Sequence, residues 1–201
     1  MNDLAVILRP AVLSRLRTET RDLHNDIEQT LDLMDDKLTY AGYVNRLKQF
    51  YGFYRPIEEK ILDASSPLAQ WIELSPRRKS ALLEVDLYSL SNRRAVDLPI
   101  CEKLPPLKGI ADYFGCMYVL EGASLGGQII SRHIQKKIGV TRIHGGRFFN
   151  GYGDRTGAMW QEFRSAISDF SLATNDDDAV VASARATFKS LQLWCQRNIE
   201  Q

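Results

Sequence analysis

Apolar residues recur along most of this chain at three- and four-residue spacing, and no segment shows a sustained strand-like alternation. Leu13, Leu16, Leu23, Ile27 and Leu31 fall on one helical face, so the spacing predicts a first helix from about residue 12 to 31. Thr39 has the chemistry of an N-cap for a second helix through Tyr43, Leu47, Phe50 and Tyr54 to Leu62, with Pro56 expected to kink or break it. Ser75-Pro76 reads as a cap followed by proline at the first helical position, opening a segment to about Leu90. The polar, then proline-rich stretch from Ser91 to Pro106 reads as loop. A long apolar helix is expected from about Leu107 to Ile138, interrupted at Gly122, Gly126 and Gly127, and the Gly-rich region from Gly139 to Gly157 reads as loop. Two further helices should follow, one through Trp160, Phe163 and Ile167 and one from about Asp176 to Ile199. The acidic run Asp176 to Asp178 suits the positive end of the last one. The expected fold class is all-α, a single domain over residues 1–201 with its core in about 12–198.

Bulk properties narrow the function. The chain has 201 residues, enough to enclose one core. Its 26 Lys and Arg against 25 Asp and Glu leave a net charge of +1, which gives no sign of a nucleic-acid surface. No stretch approaches the roughly 20 apolar residues of a membrane helix. The short apolar run Ala5 to Leu8 lacks the length and the basic start of a signal peptide. A cytoplasmic protein off the membrane is expected. Cys101, Cys116 and Cys195 are odd in number and form no C-x-x-C, so neither a disulfide framework nor a zinc site is indicated.

Two constellations carry chemistry. The first is His24, on or beside the buried face of the first helix, with Glu28 one turn on along the same side. A metal-bound histidine usually donates its other ring N–H to an oxygen acceptor, and Glu28 is placed to be that acceptor. Arg17 and Arg21 lie on the same side toward the N-terminal end. A satisfied core histidine beside a solvated basic turn explains the same residues. The second constellation is Tyr118 to Gln128, with Gly122, Gly126 and Gly127 around Ala123 and Ser124. Each mid-helix glycine costs about 1 kcal/mol against alanine. Gly122 and Gly126, one turn apart, leave a strip of helix without side chains, where another object can approach the backbone. Close helix–helix packing is the competing explanation. The adjacent pair Gly126-Gly127 favours a flat macrocycle with a small gas on its metal.

Taken together, the run T-x-x-x-H-x-x-x-E at Thr20, His24 and Glu28 resembles the proximal helix of heme oxygenases, and E-G-A-S-L-G-G-Q, Glu121 to Gln128, resembles their distal helix. The order and separation of the two runs also fit. Phe148-Phe149 before a Gly-rich turn and the helix with Phe163 and Arg164 are similar to the family's later part, so the resemblance spans about residues 12 to 198. The nearest likeness is to bacterial, bacteriophytochrome-associated heme oxygenases. The resemblance implies a helical fold with heme, both cofactor and substrate, between the first helix and a glycine-kinked distal one. It implies His24 as proximal iron ligand and Glu28 as its partner, with Gly122, Ser124, Gly126 and Gly127 on the distal, catalytic side. Arg17, Arg21 and Arg164 would face the propionates, and Thr20, Tyr54 and Phe188 would complete the pocket. It further implies dioxygen, an external electron donor such as ferredoxin or a reductase, and biliverdin, mainly the α isomer, with carbon monoxide and ferrous iron as products. A bacteriophytochrome is the implied recipient. Two positions depart from the mammalian-type pattern. Ala123 stands where an aspartate organises pocket water, and Trp160 stands at a basic position.

Three other classes compete. A non-catalytic heme carrier would share His24 and the pocket. A di-iron oxidase needs E-x-x-H pairs, and none occurs among the three histidines. A helical interaction module would use the glycines for packing and bind no heme. His133, two turns beyond Gly126, reads as a surface or structural histidine, and His144 sits in the Gly-rich loop.

Overall fold

The computed structural model describes residues 11–63, 66–92 and 94–197. The run Ala5 to Leu8 and the expected final turn at Ile199 lie outside them. The described residues form α-helices and short 3-10 turns, with no β-strand among them. The expected first helix is two: α1 (Val12–Glu19) and α2 (Arg21–Leu31). They meet at Thr20, whose backbone leaves helical geometry at φ −111°, ψ 1°. The buried Thr20 hydroxyl donates back to the Leu16 carbonyl at 2.7 Å, the side-chain competition with the ladder that bends helices. The main chain still bridges the joint, because Thr20 N–H bonds Leu16 O and His24 N–H bonds Thr20 O. Asp32 ends α2 in the left-handed region.

Helix α3 (Tyr40–Ile61) starts where Thr39 predicts, its hydroxyl accepting from Gly42 N–H. It buries Tyr43, Leu47, Phe50, Tyr54, Ile57 and Ile61, and it runs through Pro56 unbroken. Proline there removes the N–H that would bond Gly52 O. That carbonyl instead accepts from Cys101 N–H at 2.8 Å, so the loop after α4 replaces the lost bond.

Ser75-Pro76 opens only a 3-10 turn, Ser75–Arg77, and not the next helix. Helix α4 (Ser80–Ser91) begins later and is capped from a distance. The buried Glu58 carboxylate of α3 accepts from Lys79 N–H at 2.7 Å, Ser80 N–H at 3.0 Å and Ser80 Oγ at 2.6 Å. The long α5 (Ile110–Ile138) is hydrogen-bonded without interruption through all three glycines. Its other faces hold it: Phe114, Cys116, Met117 and Leu120 are buried, and at Gly115 the α8 backbone comes so near that a Cβ would stand 2.2 Å from Val180 O. Packing of this kind, not propensity, supplies most helix stability in a folded protein.

The expected loop from Gly139 to Gly157 contains a short helix, α6 (Arg147–Asn150), whose first N–H groups are held by the buried Asp86 carboxylate of α4 at 2.9 and 2.8 Å. Helices α7 (Thr156–Thr174) and α8 (Asp177–Cys195) complete the fold. Asp177 and Asp178 occupy the first turn of α8, where Asp178 also pairs with Arg15 at 2.6 Å and ties α1 to it. Helix α8 is the shared partner, packing on α5, α2, α1 and α3. No helix among the described residues is long and apolar enough to cross a membrane.

Candidate active site

Between α2 and α5 lies a cavity of about 460 Å³, a size typical of ligand pockets. One wall is α2, contributing His24, Ile27, Glu28 and Leu31. The facing wall is α5 from Tyr118 to Ile130, with the glycines at its centre. Phe50 and Tyr54 of α3, Phe148 and Phe149 of α6, and Phe188 and Leu191 of α8 close the ends. A second cleft of about 530 Å³, lined by Val44, Lys48, Leu87, Arg94 and Asp97, is larger but holds no imidazole. Chemistry, not volume, selects the first.

The His24 side chain is 54% exposed although it stands on an apolar wall. Its Nδ1 lies 3.7 Å from Glu28 Oε2, and its ring meets Phe188 edge-on at 5.9 Å. A core histidine would be buried and fully hydrogen-bonded. This one faces open space, with one nitrogen toward a carboxylate.

The three glycines divide between the two explanations. A Cβ at Gly122 or Gly126 would meet nothing within 4 Å, and both line the cavity. Gly127 does not line it; a Cβ there would stand 2.2 Å from Phe149 O. Gly127 is therefore a packing residue, letting α6 close on α5, and of the expected Gly126-Gly127 pair only the first member lines the cavity. Ser124 lines the cavity beside Gly122, and so does Ala123.

Thr20, Arg17, Arg21 and Arg164 do not line the cavity. The arginines are exposed, and Arg164 reaches Gln161 at 3.3 Å. The Arg17 charge is felt at the cavity edge, at Tyr118. Burial raises the Tyr118 hydroxyl's pKa, while the hydrogen bond with Thr20 and the Arg17 charge oppose that rise. Trp160 stacks on Phe163 and leans on Tyr118, an aromatic edge where a cation stands in mammalian-type sequences. His133 bonds the Asp35 carbonyl at 3.2 Å, a structural role as expected, and His144 sits in a tight turn with Thr141.

Behind the glycine strip is a buried polar cluster. Arg77 Nη1 donates to Glu121 Oε2 at 2.8 Å, Lys79 Nζ donates to Glu121 Oε1 at 3.1 Å, and Tyr152 Oη donates to the same oxygen at 2.8 Å. Lys79 Nζ also donates to the Leu120 carbonyl at 2.8 Å, which a longer bond from Tyr54 Oη reaches at 3.5 Å. Burial pushes Lys79 below the ordinary lysine range against the opposing pull of Glu121, and pushes Tyr54 and Tyr152 up. Arg77 and Lys79 belong to a run, Arg77-Arg78-Lys79, that reads in sequence as solvated surface. Lys and Arg are rarely buried unless paired, and the pairing carboxylate is a residue of the distant α5.

The heme oxygenase family model matches residues 11–197. The chain belongs to the heme oxygenase family. Solved heme oxygenases share its fold. One from Neisseria meningitidis, described in NO- and CO-bound forms, is 21% identical with a TM-score of 0.78, covering 92% of this chain and 90% of that one. One from Leptospira interrogans is 16% identical with a TM-score of 0.76, covering 93% and 99%. No curated protein sequence matches significantly. The residues present fit a heme: one accessible imidazole, a largely apolar slot, and on the opposite helix two glycines, Gly122 and Gly126, that leave open space.

Proposed function

We propose that this heme oxygenase binds heme through His24 and opens it to biliverdin, mainly the α isomer, with release of carbon monoxide and ferrous iron. The observation that carries the reading is the pairing of an exposed imidazole with the bare backbone strip Gly122/Gly126 across one cavity. When bound, heme supplies both the iron that activates dioxygen and the ring that is cut. The protein's share is to bind, orient and shield. His24 would hold the iron through a neutral imidazole nitrogen. Glu28, whose carboxylate lies 3.7 Å from Nδ1, would accept a hydrogen bond from the proton held there on closing to hydrogen-bond distance and so leave the other ring nitrogen for the metal. Phe148, Phe149, Phe188 and Leu191 give the macrocycle apolar contact and exclude water. Gly122 and Gly126 leave room for a small ligand on the far face. Arg17, whose charge is felt at Tyr118, would be the cation to meet a propionate at the cavity edge. Electrons come from an external donor of the ferredoxin or reductase kind. The test is an absorption spectrum of the chain loaded with one equivalent of heme, followed after adding reductant in air. Bleaching of the main heme band with growth of a broad red band is the expected result, and heme that survives unchanged identifies a carrier instead.

A further inference from the structure

Resting on the heme reading above, we propose that the Lys79 ammonium is the cationic contact that the distal side of the cavity offers to a small anionic ligand on the heme iron. The cavity lining carries the hydroxyls of Tyr54, Tyr118 and Ser124 and three groups of other chemistry, His24, Glu28 and Lys79, of which the first two belong to the opposite wall. On α5 itself the central position is Ala123, which offers neither charge nor hydrogen bond. Lys79 comes in from beneath that helix. Its side chain is 3% exposed and its two hydrogen bonds, to Leu120 O and Glu121 Oε1, use two of the ammonium's three N–H groups.

Lys79 shares the buried Glu121 carboxylate with Arg77, which also reaches the half-exposed Glu162. Tyr152 spends its proton on Glu121 and presents its ring face to Nζ at 5.2 Å. Glu58, from α3, accepts from the Lys79 backbone and from Ser80, so its carboxylate is engaged at the helix start and makes no ion pair with Nζ. Lys79 thus keeps one ammonium N–H beyond its two hydrogen bonds, at a side chain that lines the cavity. In a water-poor site a fixed ammonium acts on a nearby anion far more strongly than in bulk solvent.

The experiment uses the full-length heme complex and two probes bound at the iron, azide as the anion and carbon monoxide as the neutral ligand, both read spectrally without turnover. Lys79→Met and Lys79→Gln remove the charge, and the glutamine retains a donor for Leu120 O, so one neutral variant preserves the local hydrogen bond. Both should lose azide affinity by about tenfold, equivalent to about 1.4 kcal/mol, with carbon monoxide affinity essentially unchanged. Lys79→Arg should stay near wild type. Azide affinity unchanged in both neutral variants would overturn the proposal, leaving Lys79 as a counterion of Glu121. Azide and carbon monoxide affinities falling together would overturn it as well, by showing that the cavity had collapsed. A wild-type chain that takes up no heme refutes the oxygenase reading before any azide is added, so the two failures are distinct.

Discussion

Gly126 and Gly127 are adjacent in sequence and opposite in role, which makes them a direct test of why α5 is glycine-rich. At Gly126 a methyl group would enter open space, so Gly126→Ala should raise apo-protein stability by about 1 kcal/mol through helix propensity alone. At Gly127 the same methyl group would collide with the Phe149 carbonyl, a backbone atom that cannot rotate away, and Gly127→Ala should cost about 1–3 kcal/mol. Denaturant unfolding of the two apo variants decides it; equal shifts would show that the division between cavity and packing is wrong. His24 follows similar logic. Its side chain is more exposed than not and makes no hydrogen bond that folding depends on, so His24→Ala should change apo stability by no more than about 0.5 kcal/mol. The ferric heme spectrum of that variant should lose its histidine-ligated form. A variant that unfolds, or one that keeps the wild-type spectrum, would argue for a structural histidine.

Helix α4 shows how one element depends on another. Its N-terminus has no capping side chain of its own, and Glu58 of α3 serves instead. Burial raises Glu58 above the ordinary carboxylate range while its three hydrogen bonds pull the other way. The native state therefore keeps that proton to higher pH than the unfolded chain does. Stability is greatest below the ordinary glutamate value of 4.5 as far as this group is concerned, and falls as pH rises through the raised native value. Asp86, likewise raised by burial, has the same sign. Glu58→Gln should make the decline in unfolding free energy from acidic toward neutral pH shallower, leaving the Asp86 share; an unaltered slope would show that Glu58 is not its source. Elements of this kind also mark the limit of the sequence. Apolar periodicity located α3, α5, α7 and α8, because each buries one face on its neighbours. It missed the joint at Thr20, where a hydroxyl folds back on its own helix, and it placed the start of α4 at Ser75-Pro76, because the true cap is 22 residues away on α3. It also expected α5 to break, since propensity counts the glycines but not the contacts with α8. In the site, His24 stood out by its spacing to Glu28 and by resemblance, and Tyr54 and Phe188 by resemblance alone; all three line the cavity. Lys79 was not, because a basic run is surface by default and only the three-dimensional fold delivers Glu121 to it.

For the whole molecule, the two walls of the cavity are held together indirectly. Helices α2 and α5 both pack chiefly on α8, and α2 carries its apolar residues on a short, strongly amphipathic segment whose buried residue is Ile27. Thr20 bonds Tyr118 at one end of α2 and the Asp35 carbonyl bonds His133 beyond its other end, but among the described residues no hydrogen-bonded tie spans the middle of the opening, where His24 projects. A heme held by His24 and resting against Gly122 and Gly126 would become that tie. Two consequences follow from linkage. A ligand that binds only the folded state stabilises it by about 2.7 kcal/mol when free ligand is a hundredfold above Kd. The gain should also be unevenly distributed, because α3 and α8 are already locked into the aromatic core whereas α2 is held on one side only. Amide hydrogen exchange should therefore slow in α2 by a larger factor than in α3 or α8 when heme is added. In His24→Ala that selective protection should vanish, even if apolar contact still retains some heme. Uniform protection of all helices would mean that heme stabilises the bundle without bridging α2 to α5. Protection confined to α5 and α6 would place the ligand away from His24, and with it the iron.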